Sequence, residues 1–147
     1  IVSKGFVEGF YYKPRVDYEV LEKYHEGIIC LSACLAGEVQ KYLARGEYEK
    51  GKEAALKYEK IFGKGNYFLE MQDHGIPEQA TVNQQLMRMS EELEIDLVCT
   101  NDVHYTFADD VEAHDILLCI QTGKKKRSQQ RDGGGRYGAL SWLWGVS

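Results

Sequence analysis

The sequence predicts an α/β fold, a parallel sheet covered by helices, and three observations carry that prediction. Apolar runs recur as "GIICLSAC" ending at Cys34, "NYFLEMQDH" ending at His74 and "DLVCTNDVH" ending at His104. The intervals of 40 and 30 residues between those ends suit strand-helix units. The runs are continuous and not alternating, as in strands buried on both faces, and each precedes a stretch of helical periodicity.

Each helix has its own signals. After the first run, Val39, Tyr42 and Leu43, then Ala55, Leu56, Tyr58, Ile61 and Phe62, fall near helical spacing. Gly46 divides that stretch into two helices, and Gly63 with Gly65 ends the second. After the second run, Pro77 opens a helix with the stripe Val82, Leu86, Met89 and Leu93, and Glu78 complements its dipole. After the third, Asp109 and Asp110 begin a helix carrying Val111, His114, Ile116, Leu117, Leu118 and Ile120, which ends near Gly123.

At 147 residues, 44% of them hydrophobic, the chain suffices for one ordinary core, a domain or part of one. It begins without methionine, in what reads as the middle of a strand or helix, and is expected to be a fragment. No apolar run approaches the roughly 20 residues of a membrane span, and no signal-peptide pattern opens the chain. A cytoplasmic protein with no membrane partner is therefore expected. The four cysteines, Cys30, Cys34, Cys99 and Cys119, lack C-x-x-C spacing, and most lie in apolar runs, which predicts buried reduced thiols. On one strand, the Cα atoms of Cys30 and Cys34 would stand about 13 Å apart, beyond the roughly 7 Å limit for a disulfide.

The net charge of −5 is uneven: residues 1–123 hold 12 basic and 22 acidic side chains, a balance of −10. Duplex coating needs clustered positive charge, so any nucleic-acid contact must be local. "GFYYKPRVD" offers one such place, joining Phe10, Tyr11 and Tyr12 to Lys13 and Arg15. It suits base stacking, and equally the edge of an aromatic core. "KKKR" at 124–127 reads as an exposed charged tail.

Parallel sheets gather functional groups at the carboxyl ends of their strands, whether open or closed as a barrel. Those ends here present Cys34, His74 and the pair Asp102 and His104. On a strand, Asp102 and His104 would project together, offering a carboxylate oxygen and an imidazole nitrogen that zinc, manganese or iron accept. The plainer alternatives are a capped turn with His104 merely packed, and Cys34 as a small buried hydrophobe. Glu70, Gln72, Asp73 and His74 read first as a polar loop turning at Gly75 and Pro77, with a role for His74 behind the ligands or toward substrate left open. His25 and His114 read as structural or solvent-facing.

Together, "GFYYKPRVD", "EGIICLSACLAGEV", "FLEMQDHGIPEQ", "CTNDVHY" and "AHDILLCIQTGK" closely resemble the polymerase and histidinol phosphatase (PHP) domain of bacterial DNA polymerase III alpha subunits. The likeness runs in order from Ile1 to about Lys125. It implies part of a distorted (β/α)7 TIM-like barrel with metals held by residues at the strand ends. Cys34 matches the family's cysteine ligand, and Asp102 with His104 its closing D-x-H pair. His74 and Glu70 match family residues that are not ligands. The family's opening H-x-H motif lies upstream of Ile1.

The resemblance further implies divalent metal ions, namely zinc, manganese or iron. It implies DNA and other replicase subunits as partners of a parent DNA-directed DNA polymerase. Within the domain it implies a metal-dependent phosphoesterase or 3′ to 5′ exonuclease, or alternatively a non-catalytic scaffold. The isolated chain is expected to be inactive. Residues 1–125 form the expected domain part. Residues 126–147, with Trp142, Trp144 and Gly133 to Gly135, depart from the family pattern and are expected to be a divergent tail, disordered or non-native.

Overall fold

A computed structural model describes residues 1–123; the expected tail from 126 onward lies outside the described residues. The chain opens with helix α1 (Val2–Val7), followed by an antiparallel hairpin of β1 (Phe10–Tyr11) and β2 (Lys13–Pro14). Helix α2 (Tyr18–Tyr24) follows, its first turn capped by the Asp17 carboxylate, which accepts from the Val20 N–H at 3.0 Å. Periodicity does not reveal these pieces, because two-residue strands and helices of under two turns are shorter than the repeats that pattern reading needs.

From Cys30 onward the predicted alternation appears. Strand β3 (Cys30–Leu31) leads to α3 (Glu38–Ala44) and α4 (Tyr48–Phe62), and β4 (Tyr67–Met71) leads to α5 (Pro77–Leu93). Strand β5 (Leu97–Cys99) leads through a 3-10 turn (Ala108–Asp110) to α6 (Val111–Thr122). Gly46, at φ +75°, stands between α3 and α4, and Gly123, at φ +66°, ends α6. Both positions use the left-handed conformation that glycine adopts without steric cost.

The three strands are parallel and lie in sequence order β3-β4-β5, with Cys30 opposite Tyr67 and Leu69 opposite Leu97. Tyr67 and Leu69 point from one face into a core built with Val39, Leu43, Ala55, Val82, Leu86 and Met89, so the helices between strands pack on that face. Each such large apolar side chain contributes about 1.5–3 kcal/mol on burial. Sequential order with helices on one side differs from a doubly wound sheet, in which the order reverses and both faces are covered.

Two expectations need correction. The strands are shorter than the apolar runs: β3 ends at Leu31, and two residues later Ala33 takes φ +68°, a conformation that no strand continues through. The thiols are not deeply buried either: Cys99 is exposed and the other three are intermediate, all four free. Apolar neighbours in sequence did not ensure cover, since Ile28 and Ile29 beside Cys30 are themselves exposed.

Candidate metal centre

Each strand delivers its polar group three residues past its last paired position: Cys34 after Leu31, His74 after Met71, Asp102 after Cys99. Because the strands are parallel, these groups share one edge of the sheet. Loops, not strands, set their final positions.

On the β3 side, the turn carrying Cys34 is tightly built. The Gly37 N–H donates to the Cys34 carbonyl at 2.7 Å, and the Cys34 sulfur accepts from the Ala36 N–H at 3.4 Å. A side chain at position 37 would place its Cβ 2.3 Å from the Ser32 carbonyl oxygen, so only glycine fits. Cys34 borders a shallow pocket with Gln40, Glu70, Gln72, Gln79 and Asn83. Beneath the edge, burial pushes the Cys30 thiol above its ordinary range.

The β4 and β5 ends are tied together by polar groups. The Thr100 hydroxyl donates to the Glu70 carboxylate, and the Gln72 amide lies 3.3 Å from both Glu70 Oε1 and Thr100 Oγ1. Asn83 on α5 donates to the Gln72 carbonyl at 3.0 Å. Glu70 thus serves as a cross-strand acceptor.

Asp102 and His104 lie in an irregular segment, so the strand parity that predicted their shared direction does not operate. They nevertheless meet: His104 Nδ1 is 3.0 Å from the Asp102 carbonyl oxygen and 3.6 Å from Asp102 Oδ1. Their side chains are 23% exposed at His104 and 21% at Asp102, accessible to a ligand yet supported. The His114 ring packs edge-on against His104 at 5.5 Å and lies 5.2 Å from Tyr105, which gives it a supporting role. His74 reaches across from β4, its Nε2 lying 3.3 Å from the Asp102 N–H. The other side of the same ring faces Gln79, whose Nε2 is 3.2 Å from Nδ1.

Two residues on this edge escaped the sequence reading. Gln40 and Gln79 are buried, and with Ser32 they make up the buried polar side chains among the described residues. The available signal was helical spacing: Gln79 stands three residues before Val82 on the stripe through Leu86 and Met89, and Gln40 three before Leu43. A polar residue on an apolar stripe needs partners.

The donors match a transition-metal ion in kind: a thiol, a carboxylate and an imidazole. In place, they form a pair and a separate third. Cys34 follows β3 and the Asp102–His104 pair follows β5, with β4 between them, a separation of about 10 Å at strand spacing. Among the described residues, no group of three or more His, Cys, Asp or Glu side chains is close enough to hold an ion. The set fits as part of a centre and does not complete one.

The chain as a whole is similar to known proteins. The family model described as the PHP domain matches residues 1–74. The chain is 49% identical over 129 residues, 88% of its length, to DNA polymerase III subunit alpha of Treponema pallidum (strain Nichols). It is 48% identical over 120 residues, 82% of its length, to the protein of that name in Deinococcus radiodurans. It is 43% identical over 131 residues, 89% of its length, to that of Borreliella burgdorferi. The chain spans 9–11% of the length of these relatives.

Proposed function

Because the chain belongs to the PHP domain family, we propose that it is part of a replicative DNA polymerase III alpha subunit, from the portion that holds metal. Its three parallel strands, in sequence order with helices on one face, are read as an arc of the distorted (β/α)7 barrel. Cys34, Asp102 and His104 are the donors it contributes toward zinc, manganese or iron, and the remaining ligands come from elsewhere in the protein. A bound ion there would supply Lewis-acid chemistry to a phosphoester. Asp102 and His104 would hold their positions through their mutual contact and through His74.

The proposed activity of the domain is metal-dependent phosphoester hydrolysis, as a 3′ to 5′ exonuclease acting on DNA beside the polymerase. DNA and other replicase subunits are the proposed partners, and the cytoplasm the proposed location. Among the described residues no helix is long and apolar enough to cross a membrane. The observation that carries the reading is the match over 129 of 147 residues, a span that necessarily includes Cys34, His74, Asp102 and His104. Asp102→Ala and His104→Ala in the full-length protein should lower bound metal and exonuclease activity on a mismatched primer end. Unchanged metal content and activity in both variants would end the reading.

A second reading, a non-catalytic scaffold, is favoured by one feature. The polar groups of this edge largely satisfy one another, Glu70 with Thr100 and Gln72, and the His74 backbone N–H with Gln79 Oε1. Under that reading, chelation lowers the thermal midpoint of the full-length protein, while the parent protein shows no phosphoesterase activity to lose.

A further inference from the structure

We propose that the two buried glutamines, Gln40 and Gln79, are positioning residues that hold the two separated parts of the donor set, Gln40 for Cys34 and Gln79 for Asp102. This rests on the metal-binding reading above and names the residues that would make it work.

Gln40 is 2% exposed and projects from α3 beneath the end of β3. Its Nε2 donates to Ser32 Oγ at 2.6 Å and to the Ala33 carbonyl at 2.9 Å, and lies 3.3 Å from the Glu70 carbonyl. Two of these acceptors are backbone carbonyls, so the amide nitrogen, and not the oxygen, must face them. Ser32 Oγ also accepts from the Glu70 N–H at 2.8 Å, which joins β3 to β4 at the same point. The pinned residue, Ala33, has φ +68°, a left-handed conformation that is strained for a residue other than glycine. Strain of that kind persists when surrounding contacts over-determine it. Gln40 supplies those contacts one residue before Cys34.

Gln79 is 5% exposed and sits in the first turn of α5. Its Oε1 accepts from the His74 backbone N–H at 2.8 Å, which leaves Nε2 facing His74 Nδ1. The other ring nitrogen, Nε2, faces the Asp102 N–H. Gln79 therefore acts on Asp102 through His74. A neutral imidazole presents one donor and one acceptor, so N–H groups on both sides leave one contact unsatisfied.

That asymmetry makes glutamate a sharp probe. Gln40→Glu puts a carboxylate oxygen against the Ala33 and Glu70 carbonyls and should release the Cys34 turn. Gln79→Glu gives acceptors to both the His74 N–H and an Nδ1–H, freeing His74 Nε2 to accept from Asp102, and should preserve the link; Gln79→Met should lose it. The full-length protein would be titrated with cobalt(II), following the thiolate-to-cobalt absorption band and metal affinity, with Val39→Ala in α3 as a stability control. Gln40→Glu and Gln79→Met should weaken affinity about 10- to 100-fold, and Gln40→Glu should also diminish the thiolate band. Gln79→Glu and Val39→Ala should stay within about 3-fold of the parent, a tenth or less of the larger loss expected at the glutamines. A parent protein lacking the thiolate band refutes Cys34 as a ligand, whereas a normal band with both glutamine losses absent, or matched by Val39→Ala, overturns the positioning proposal.

Discussion

Helices α5 and α6 both carry runs of apolar residues at helical spacing, yet their surroundings differ. In α5, Val82, Leu86 and Met89 are buried, and Leu86 has no exposure at all. In α6, Ile116, Leu117 and Ile120 are exposed, Leu117 by 63%, and Leu118 is the buried residue. The difference lies in the neighbours. Helix α5 crosses from β4 to the adjacent parallel β5 and is pressed against both, whereas among the described residues no strand follows α6. Spacing specifies a helix, and the crossover specifies its burial.

The comparison breaks most directly at Leu86. Leu86→Ala should destabilise the chain by about 2–5 kcal/mol, the cost of lost transfer energy plus a cavity. Urea unfolding followed by circular dichroism would show a lower midpoint at an unchanged slope. A loss below about 1 kcal/mol would mean that α5 is no better held than α6.

An intermediate effect sharpens the boundary between core and flank, where α2 meets α4. The hydroxyls of Tyr18 and Tyr58 both donate to Glu38 Oε2, at 2.5 and 2.8 Å, and Tyr58 stacks on Tyr67. Burial first, then the hydrogen bond to Glu38, holds the Tyr58 phenol far above the ordinary tyrosine range, and burial raises Tyr18 and Tyr67 too. A raised phenol favours the protonated ring in the folded state. Below about pH 10, where unfolded tyrosines also keep their protons, the shift is fully stabilising and the pH has no effect through these groups. Above it, the unfolded chain releases protons that the folded chain retains, so stability falls as pH rises. The urea midpoint should decline as the pH rises above about 10, and Tyr58→Phe should flatten the decline. An equally steep decline in Tyr58→Phe would detach the phenol from the effect.

Much of this core was legible in the sequence, for physical reasons that individual residues show. Leu43, Val82, Leu86 and Met89 were marked by spacing, and Pro77 and Gly46 by their fixed backbone preferences. Cys34, His74 and Asp102 were legible as strand-end residues, because parallel topology collects such ends on one edge. Their final positions were not, since Ala33 at positive φ and the irregular segment through His104 depend on contacts distant in sequence. Gln40 and Gln79 were passed over because a glutamine on an apolar stripe announces burial without naming its partners. Three of the partners used here lie 28 to 38 residues from the groups that meet them, as Asp102 does from His74 and Glu70 from Ser32 and Gln40.

The smallest expected effect completes the contrast with α5. Leu117→Ser removes an apolar side chain at helical spacing, the same kind of change as Leu86→Ala if only the pattern is considered. With Leu117 63% exposed, little apolar surface returns to water on unfolding and no enclosed cavity forms, so the change in stability should stay within about 0.5 kcal/mol. Helix propensity opposes the substitution slightly, since serine is a weaker helix former than leucine. The same urea titration decides the matter in one experiment with both variants. A loss at Leu117 approaching that at Leu86 would require α6 to be covered in solution, and the crossover would then no longer account for which apolar stripe is buried.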